Sequence, residues 1–270
     1  MWLNLNDFGG ILSKVGVLKV LTEERQAKIL AQLARDGVIK LQDLVKDLDS
    51  STSTIRRDLQ ELEDHGKLVR VHGGAKAIST LQSEPGVVEK STKNVHAKRQ
   101  IAKLAVQQIR AGEVVYLDAG TSTEAMIPFM SNLDTVLVVT NGVQLASELA
   151  DINVKTYLVG GELKNTTKAI IGADVVETIK KFRFNRVFMG VNGVHPKFGI
   201  TTPDPNEAAV KRAVLAQSEV SYFLADASKL NEVSFAKVAD LEAGVLLTDE
   251  DDQDILKDFE HLKQIMEAEK

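Results

Sequence analysis

The chain has 270 residues, of which 44% are hydrophobic, enough to build one large or two ordinary domains and to exclude a disordered chain. The 33 Lys and Arg residues face 38 Asp and Glu, a net charge of −5 that excludes a uniformly basic nucleic-acid coat. There is no cysteine, which excludes disulfides, thiolate metal sites and cysteine nucleophiles.

The N-terminal residues 1–21 are apolar without a clean helical or strand period, and we predict an extension of unknown role there. They lack the basic start and the cleavage site of a signal peptide. No stretch of the chain approaches the roughly 20 apolar residues of a membrane span, so a cytoplasmic protein without a membrane partner is expected.

Three short helices are predicted from residue 22 onward. Thr22 can cap the first, whose apolar stripe ends at Gly37, and a second helix over 41–48 follows a short β-like pair. Residues 51–54 can cap a third helix, which ends at 65–66. Three helices with a tight turn before the third are typical of a helix-turn-helix domain.

The third helix carries polar and basic side chains opposite its apolar stripe, and a β-hairpin wing with a turn at Gly73-Gly74 follows it. Positive charge is thus concentrated on the third helix and the wing, as double-stranded operator DNA requires. The candidate DNA-binding residues are Ser53, Thr54, Arg56, Arg57, Arg70, His72, Gly73 and Lys76.

An alternative interpretation is a winged helix that binds protein. In that case Arg56 and Arg57 would pair with the carboxylates of their own helix, Asp58, Glu61 and Asp64.

The strings TIRRDL over 54–59 and RVHGGA over 70–75 resemble the winged-helix signature of the DeoR family of bacterial sugar-metabolism regulators. The resemblance implies a winged helix-turn-helix DNA-binding domain, placed here over residues 22–77.

Residues 78–94 are polar, contain Pro85-Gly86 and show no period, which predicts a linker. From residue 95 to 270, helices and strands alternate, a pattern typical of an α/β domain with a mostly parallel sheet covered on both faces. The predicted helices are 95–110, 123–130, 143–150, 173–181, 206–216 and 253–266, and the predicted strands are 114–117, 135–139, 155–159, 185–189, 220–224 and 244–247.

Ligands of such sheets bind at the carboxyl ends of the strands. After the first predicted strand, Asp118 is followed by Gly120 and by three hydroxyl side chains at a helix start, where free N–H groups favour an anion such as phosphate. The hydroxyls could equally serve only as helix caps. Polar or glycine residues follow later strands as well, at Asn141, Gly160, Gly161, Asn192 and Lys229.

Glu207 and Lys211 lie four residues apart on one predicted helix face. They are candidates for the same site, and the alternative is an ordinary solvated helix pair.

The strings YLDAGTST, VVTNGV, LVGGELK, FMGVNGV and LADASK resemble the sensor domain of the DeoR family, which is similar to the fold of ribose-5-phosphate isomerase and glucosamine-6-phosphate deaminase. The resemblance implies a phosphorylated sugar as effector. It implies that Asp118, Gly120, Thr121, Ser122 and Thr123 hold the phosphate, that Asn141 and Asn192 meet sugar hydroxyls, and that Gly160, Gly161, Glu207, Lys211 and Lys229 complete the pocket.

These observations predict a repressor of a sugar-utilisation operon, without a cofactor or a metal, whose affinity for its operator is controlled by a phosphorylated sugar. A homo-oligomer is expected, because operators are usually read by symmetric dimers or tetramers. The alternative is a sugar-phosphate isomerase or deaminase fused to a DNA-binding domain. That enzyme would need a positioned general base, which the sequence does not clearly show.

Overall fold

A computed structural model describes residues 9–71, 73–77, 81–82, 84–131, 133–259 and 265–268. The chain forms two compact units, Met1–Ser79 and Thr80–Lys270. Among these described residues, none of the helices is both long and apolar enough to cross a membrane.

The first unit is a winged helix made of three helices and a small antiparallel sheet. Its elements are α1 (Gly9–Asp36), β1 (Val38–Lys40), α2 (Leu41–Asp47), α3 (Thr52–Asp64), β2 (Leu68–Val71) and β3 (Gly74–Ala77). The strands are ordered β1-β3-β2, so the β-like pair after α1 becomes the third strand of the wing. The apolar stripes predicted from helical spacing are buried, at Ile29 and Leu33 of α1 and at Ile55, Leu59 and Leu62 of α3.

Helix α1 begins earlier than the sequence predicts. It starts at Gly9, so Thr22 lies within the helix and does not cap its start. No proline interrupts residues 9–21, and adding residues to an existing helix costs far less than nucleating a new one. The predicted extension is therefore helical over 9–21, while residues 1–8 lie outside the described part of the chain.

The second unit is an α/β domain around a seven-stranded sheet, ordered β15-β14-β12-β9-β4-β5-β6, in which every neighbouring pair is parallel. This confirms the predicted fold class. The strands of the second unit include some outside this seven-stranded sheet. They are β4 (Val114–Leu117), β5 (Leu137–Thr140), β6 (Lys155–Leu158), β7 (Glu162–Leu163), β8 (Ile170–Ile171), β9 (Phe184–Gly190), β10 (Gly193–His195), β11 (Gly199–Thr202), β12 (Ser218–Leu224), β13 (Ala236–Ala239), β14 (Val245–Thr248) and β15 (Ile265–Glu267). Its helices are α4 (Val87–Thr92), α5 (Val95–Val106), α6 (Thr121–Glu124), α7 (Val143–Asp151), α8 (Ala173–Ile179), α9 (Pro205–Leu215) and α10 (Gln253–Leu256).

Three predicted elements differ from the structure. The predicted helix 253–266 is wrong, because α10 ends at Leu256 and β15 pairs with β14 at the edge of the sheet. The predicted helix 123–130 is a single turn of α6 followed by a 3-10 turn that contains Pro128, which cannot donate the next helical hydrogen bond. The predicted linker contains α4, a helix whose sequence has no apolar stripe.

The two faces of the sheet carry different helices. Helices α5 and α7 pack on one face, and α8 and α9 pack on the other. From β4 the chain continues to β5 and β6 on one side, and it then returns to β9 on the opposite side of β4. The order of the strands therefore reverses between β4 and β9, and in open α/β sheets the expected ligand crevice lies outside the carboxyl ends of two such strands.

Candidate functional site

Helix α3 exposes the residues predicted to read DNA. Ser51 caps the helix by accepting a hydrogen bond of 3.2 Å from the Thr54 backbone N–H. Ser53, Arg56 and Arg57 are exposed, and Thr54 is half-buried. Within the described residues, neither arginine forms an ion pair or a side-chain hydrogen bond, so both guanidinium groups are available for phosphates or base edges.

The carboxylates of α3 are bound to other side chains. Asp58, only 1% exposed, accepts two hydrogen bonds from Arg25 of α1, one of them 2.9 Å long from Nη2. Glu61 accepts a hydrogen bond of 2.8 Å from Gln26, which also belongs to α1. The pairing of Arg56 and Arg57 with these carboxylates, on which the protein-binding alternative depends, is absent among the described residues.

Arg25 is a positioning residue that sequence reasoning missed. Its planar guanidinium binds the Asp58 carboxylate through two parallel hydrogen bonds, and this contact fixes α3, the helix predicted to read DNA, against α1. The two residues are 33 positions apart in the sequence, so helical spacing gives no indication that they meet.

The wing has a turn that depends on its two glycines. Gly73 has a φ of +79°, a left-handed conformation that glycine adopts without strain. A Cβ atom on Gly74 would lie 2.0 Å from the Ile39 carbonyl oxygen, because β1 and β3 approach closely there. Arg70 is exposed, and its backbone N–H donates to Glu63 of α3 over 2.8 Å, whereas Lys76 is half-buried. The predicted contact His72 lies outside the described residues.

A buried ion pair lies at the carboxyl ends of β4 and β9, where the ligand crevice of the second unit is expected. Asp118, at the end of β4, and Lys211 of α9 are 3% and 5% exposed and form a salt bridge. The Lys211 ammonium also donates over 2.9 Å to the carbonyl oxygen of Gly190, at the end of β9. Burial raises the pKa of Asp118, and Lys211 opposes that rise. Lys211 therefore connects the two strands between which the strand order reverses.

Glu207 and Lys211 do not form the solvated helix pair that was the alternative for them. Both are buried, and each binds a different partner. Glu207 accepts hydrogen bonds of 2.7 Å from Thr167 and 3.1 Å from Lys164.

Two residues predicted to contact the sugar or its phosphate form hydrogen bonds to other groups of the protein. The Asn141 side-chain oxygen accepts hydrogen bonds from the Tyr116 hydroxyl (2.9 Å) and the Ala119 N–H (3.0 Å), and its nitrogen donates to the Ile170 carbonyl (3.0 Å). The Thr123 hydroxyl is fully buried and hydrogen-bonds backbone carbonyls of the preceding loop. Both side chains stabilise the loop that follows β4.

The other predicted residues occupy two places. Gly120, Thr121 and Ser122 are half-buried in the loop after β4 and the start of α6. Asn192 follows β9 and accepts a hydrogen bond of 3.0 Å from Thr202, and Lys229 lies in a 3-10 turn after β12. Gly160 and Gly161 are exposed and follow β6, which lies two strands away from β4 in the sheet.

Lys164 is a second residue that the sequence did not reveal. Its ammonium contacts three carboxylates, those of Glu84, Asp204 (2.7 Å) and Glu207 (3.1 Å). Burial acts against its charge, but hydrogen bonds to Asp204 and Glu84 raise the pKa of Lys164 above its usual value. Lys164 thus binds both a predicted effector-site residue and a residue of the predicted linker.

An open pocket of about 480 Å³ lies beside the loop that follows β4. This volume suits a small organic ligand. Its lining comes from α4 to α7 and the adjoining turns, and consists of Ser91, Val95, Lys98, Thr121, Glu124, Ala125, Ile127, Pro128, Glu148, Asp151 and Ile152.

Each of the two units matches a known protein family, and the chain as a whole is similar to known regulators. Residues 25–81 match the DeoR-like helix-turn-helix domain, and residues 93–250 match the DeoR C-terminal sensor domain. The chain is 44% identical over 231 residues to the uncharacterized HTH-type transcriptional regulator FruR of Bacillus subtilis, covering 85% of this chain and 92% of the relative. It is 31% identical over 234 residues to the lactose phosphotransferase system repressor of Staphylococcus epidermidis, again covering 85% and 92%. Among solved structures it is similar to ribose 5-phosphate isomerase A of Methanocaldococcus jannaschii, with a TM-score of 0.39, 16% identity and coverage of 51% of this chain and 55% of that chain.

The two sequence relatives are named as a regulator and a repressor, and the family models cover both the winged helix and the sensor domain. The alternative of an isomerase or a deaminase is not favoured, because the extensive sequence similarity is to regulators. The chain therefore belongs to the DeoR family of DNA-binding transcriptional regulators.

Proposed function

We propose that this regulator represses a sugar-utilisation operon and that a phosphorylated sugar, bound at the crevice of the second unit, changes its affinity for operator DNA. The observation that carries the proposal is the buried Asp118–Lys211 pair between the ends of β4 and β9, next to the half-buried Gly120–Ser122 loop. A buried charged pair at the point where strand order reverses is typical of a ligand site. The name of the staphylococcal relative, a repressor of a lactose phosphotransferase system, supports the same class of effector.

The proposed coupling route runs through the predicted linker. Glu84 and Glu207 both form an ion pair with the Lys164 ammonium. A ligand that changes the environment of Glu207 therefore also changes the ion pair between Lys164 and Glu84. The backbone N–H of Val87 donates over 2.9 Å to the Thr166 carbonyl, close to the same lysine. A coupling free energy of about 1–3 kcal/mol changes affinity roughly 5- to 150-fold, so a modest change in these contacts suffices.

The proposed regulator is a cytoplasmic homo-oligomer. Operator sites are usually read by symmetric proteins, and we expect recognition helices about one DNA turn, roughly 34 Å, apart.

A thermal-shift screen tests the proposed effector. Inorganic phosphate, fructose 1-phosphate, tagatose 6-phosphate and other hexose and pentose phosphates would be added to the full chain. A ligand at about 100 times its Kd adds roughly 2.7 kcal/mol to the free energy of unfolding, so the true effector should raise the Tm of the protein by several degrees. A melting temperature that no sugar phosphate changes would contradict the proposal.

Glu84→Gln tests the coupling route. We expect the variant to bind the sugar phosphate like the parent, while the ratio of operator Kd values with and without effector falls toward one, because the ion pairs of Glu84 with Lys164 and with Lys90 are lost. Fluorescence anisotropy on labelled operator DNA measures this ratio. Glu89→Gln is the matched control, since Glu89 is an exposed residue of the same segment that pairs with Lys93. Full retention of the parent ratio in Glu84→Gln would remove Lys164 from the route.

A further inference from the structure

Strand β6 is an open edge of the seven-stranded sheet. It is the last strand in the order, and its one strand partner among the described residues is β5. The Val159 backbone N–H donates to β5 over 2.9 Å. Main-chain groups alternate in direction along a strand, so those of Lys155 and Tyr157 face β5 as well. The N–H and C=O groups of Thr156 and Leu158 therefore point away from the sheet, and no described residue hydrogen-bonds to them.

The devices that usually protect an edge strand are missing from β6. Proteins blunt such edges with proline, with bulges, with several charges or with a covering segment. Residues 155–158 contain no proline, their register with β5 is regular, and Lys155 is their one charged residue. Tyr157 and Leu158 are 48% and 40% exposed, and Leu163 of β7, which follows, is 44% exposed. An apolar edge with unpaired main-chain groups can pair with another strand.

The outward main-chain groups match those of a second copy related by a two-fold axis. In an antiparallel pair centred on Tyr157, Thr156 lies opposite Leu158 of the second copy, and Leu158 lies opposite Thr156 of that copy. Each opposed pair exchanges two N–H···O=C hydrogen bonds, so the outward groups of both residues gain partners. The contact uses the same surface on both copies and closes with two subunits.

The side chains of one face of β6 fit this register. The two Tyr157 side chains form a cross-strand pair at the axis, where aromatic pairs stabilise a sheet. Each Tyr157 ring also contacts Phe182 of its own copy edge-on, with ring centroids 5.3 Å apart. Lys155 lies diagonally across from Tyr157 of the second copy. The two Lys155 residues are about 14 Å apart, beyond the Debye length of about 8 Å, so they repel each other little.

Helix α7 leaves room for the second copy. It connects β5 to β6, and its residues Glu148 and Asp151 line the pocket that also includes residues of α5 and α6. Helix α5 packs beside β12 and β14, so these two carboxylates face the middle of the sheet. With 3.6 residues per turn, Ala146 and Ala150 lie on the other flank, toward the β6 edge. Two copies of α7 can therefore approach each other there with small, uncharged side chains.

We infer that β6 is a homodimer interface, in which it pairs antiparallel with β6 of a second copy and joins the two large sheets into one. The occupant is a second copy because the hydrogen-bonding pattern around Tyr157 is self-complementary and brings no like charges into contact. The inference rests on the homo-oligomer proposed above and specifies the surface through which it forms.

Disulfide trapping in the full chain tests the register. The chain has no cysteine, so any disulfide-linked dimer must come from an introduced residue. In the inferred register the Cα atoms of the two residues 157 lie about 4.5 Å apart, within the range of roughly 4.4–6.8 Å for a disulfide. Tyr157→Cys should therefore give a covalent dimer after mild oxidation, seen on a non-reducing gel. Thr156→Cys is the matched control on the same strand. Its two sulfur-bearing residues would have Cα atoms about 9 Å apart and should stay unlinked.

Charge substitutions test the same pairing without a covalent bond. Thr156→Lys/Leu158→Lys places like charges opposite each other in both pairs and should raise the Kd of the dimer roughly 10- to 100-fold. Thr156→Lys/Leu158→Glu places opposite charges across both pairs and should restore dimerisation, with an affinity that falls as salt is added. Sedimentation velocity over a range of protein concentrations measures the Kd, and unfolding curves check the fold of each variant.

The outcomes separate the interface from the proposed function. A parent-like Kd of folded Thr156→Lys/Leu158→Lys would overturn the inference, as would a Tyr157→Cys variant that forms no more covalent dimer than Thr156→Cys. Either result leaves the proposed repressor and its oligomer standing. A parent that sediments as a monomer at all concentrations would overturn both the interface and the proposed homo-oligomer.

Discussion

Replacing Arg56 and Arg57 together by alanine removes specific binding of operator DNA and leaves the fold of the first unit intact. Both side chains are exposed on α3, opposite the buried stripe, and neither has an ion-pair partner among the described residues. A good contact between arginine and a base edge is worth about 1–3 kcal/mol, so losing two such contacts weakens binding by roughly 10²- to 10⁴-fold. If one of them contacts phosphate, the salt dependence of binding also falls by about one unit.

Binding of labelled operator at several salt concentrations, compared with unfolding curves, measures both effects. Arg35→Ala is the control, because Arg35 is an exposed arginine of α1 that pairs with the adjacent Asp36. Operator affinity and salt slope equal to those of the parent would exclude α3 as the recognition helix.

Lys211→Met is expected to lower the free energy of unfolding by about 3–5 kcal/mol, the typical cost of leaving one member of a buried ion pair without its partner. Asp118 would remain as a carboxylate in a site that is almost inaccessible to water. The double variant Asp118→Asn/Lys211→Met should recover part of the loss, because no buried charge remains. Lys180→Met, which breaks an exposed pair with Glu177 on α8, should change stability by less than about 1 kcal/mol.

The loss of unfolding free energy caused by Lys211→Met, called the deficit below, should depend on pH. Burial raises the pKa of Asp118, and removing Lys211 takes away the interaction that opposes the rise. A carboxyl group whose pKa is higher in the folded than in the unfolded protein contributes stability while it is protonated, and this contribution is lost as the pH rises through the folded-state value. The deficit should therefore be smaller near about pH 5 than near about pH 7. Urea unfolding at both values measures it, and equal deficits would show that Asp118 does not carry the effect.

The sequence predicted the winged helix and the parallel sheet because both depend on local periodicity. Apolar residues at helical spacing, such as Ile55, Leu59 and Leu62, gave α3, and alternating helices and strands gave the sheet. The last strand was mistaken for a helix because Ile265 and Met266 are stabilised by pairing with β14, and this tertiary contact overrides local preference. The short strands β7, β8, β10, β11 and β13 were not predicted, because they too are stabilised by pairing, β7 with β8 and β11 with β10 and β13.

The candidate site was only partly predictable. Glycines and polar residues after strands indicated the edge of the sheet at which Asp118 and Lys211 meet, because parallel strands bring their carboxyl ends to one edge. Lysines such as Lys98 and Lys164 were missed, since a charged residue on a helix or hairpin normally points to solvent, and only the fold shows that both are enclosed. The same reason explains why Lys211 was paired with Glu207 in sequence reasoning but binds Asp118, 93 residues away.

The close approach of β1 and β3 limits how this regulator can acquire a new target sequence. A side chain at Gly74 would collide with the Ile39 carbonyl oxygen, so position 74 tolerates no other amino acid without separating the two strands. Evolution or engineering of altered recognition is thereby confined to solvent-facing positions such as Ser53, Arg57 and Arg70, where side chains can be exchanged without disturbing the backbone beneath them.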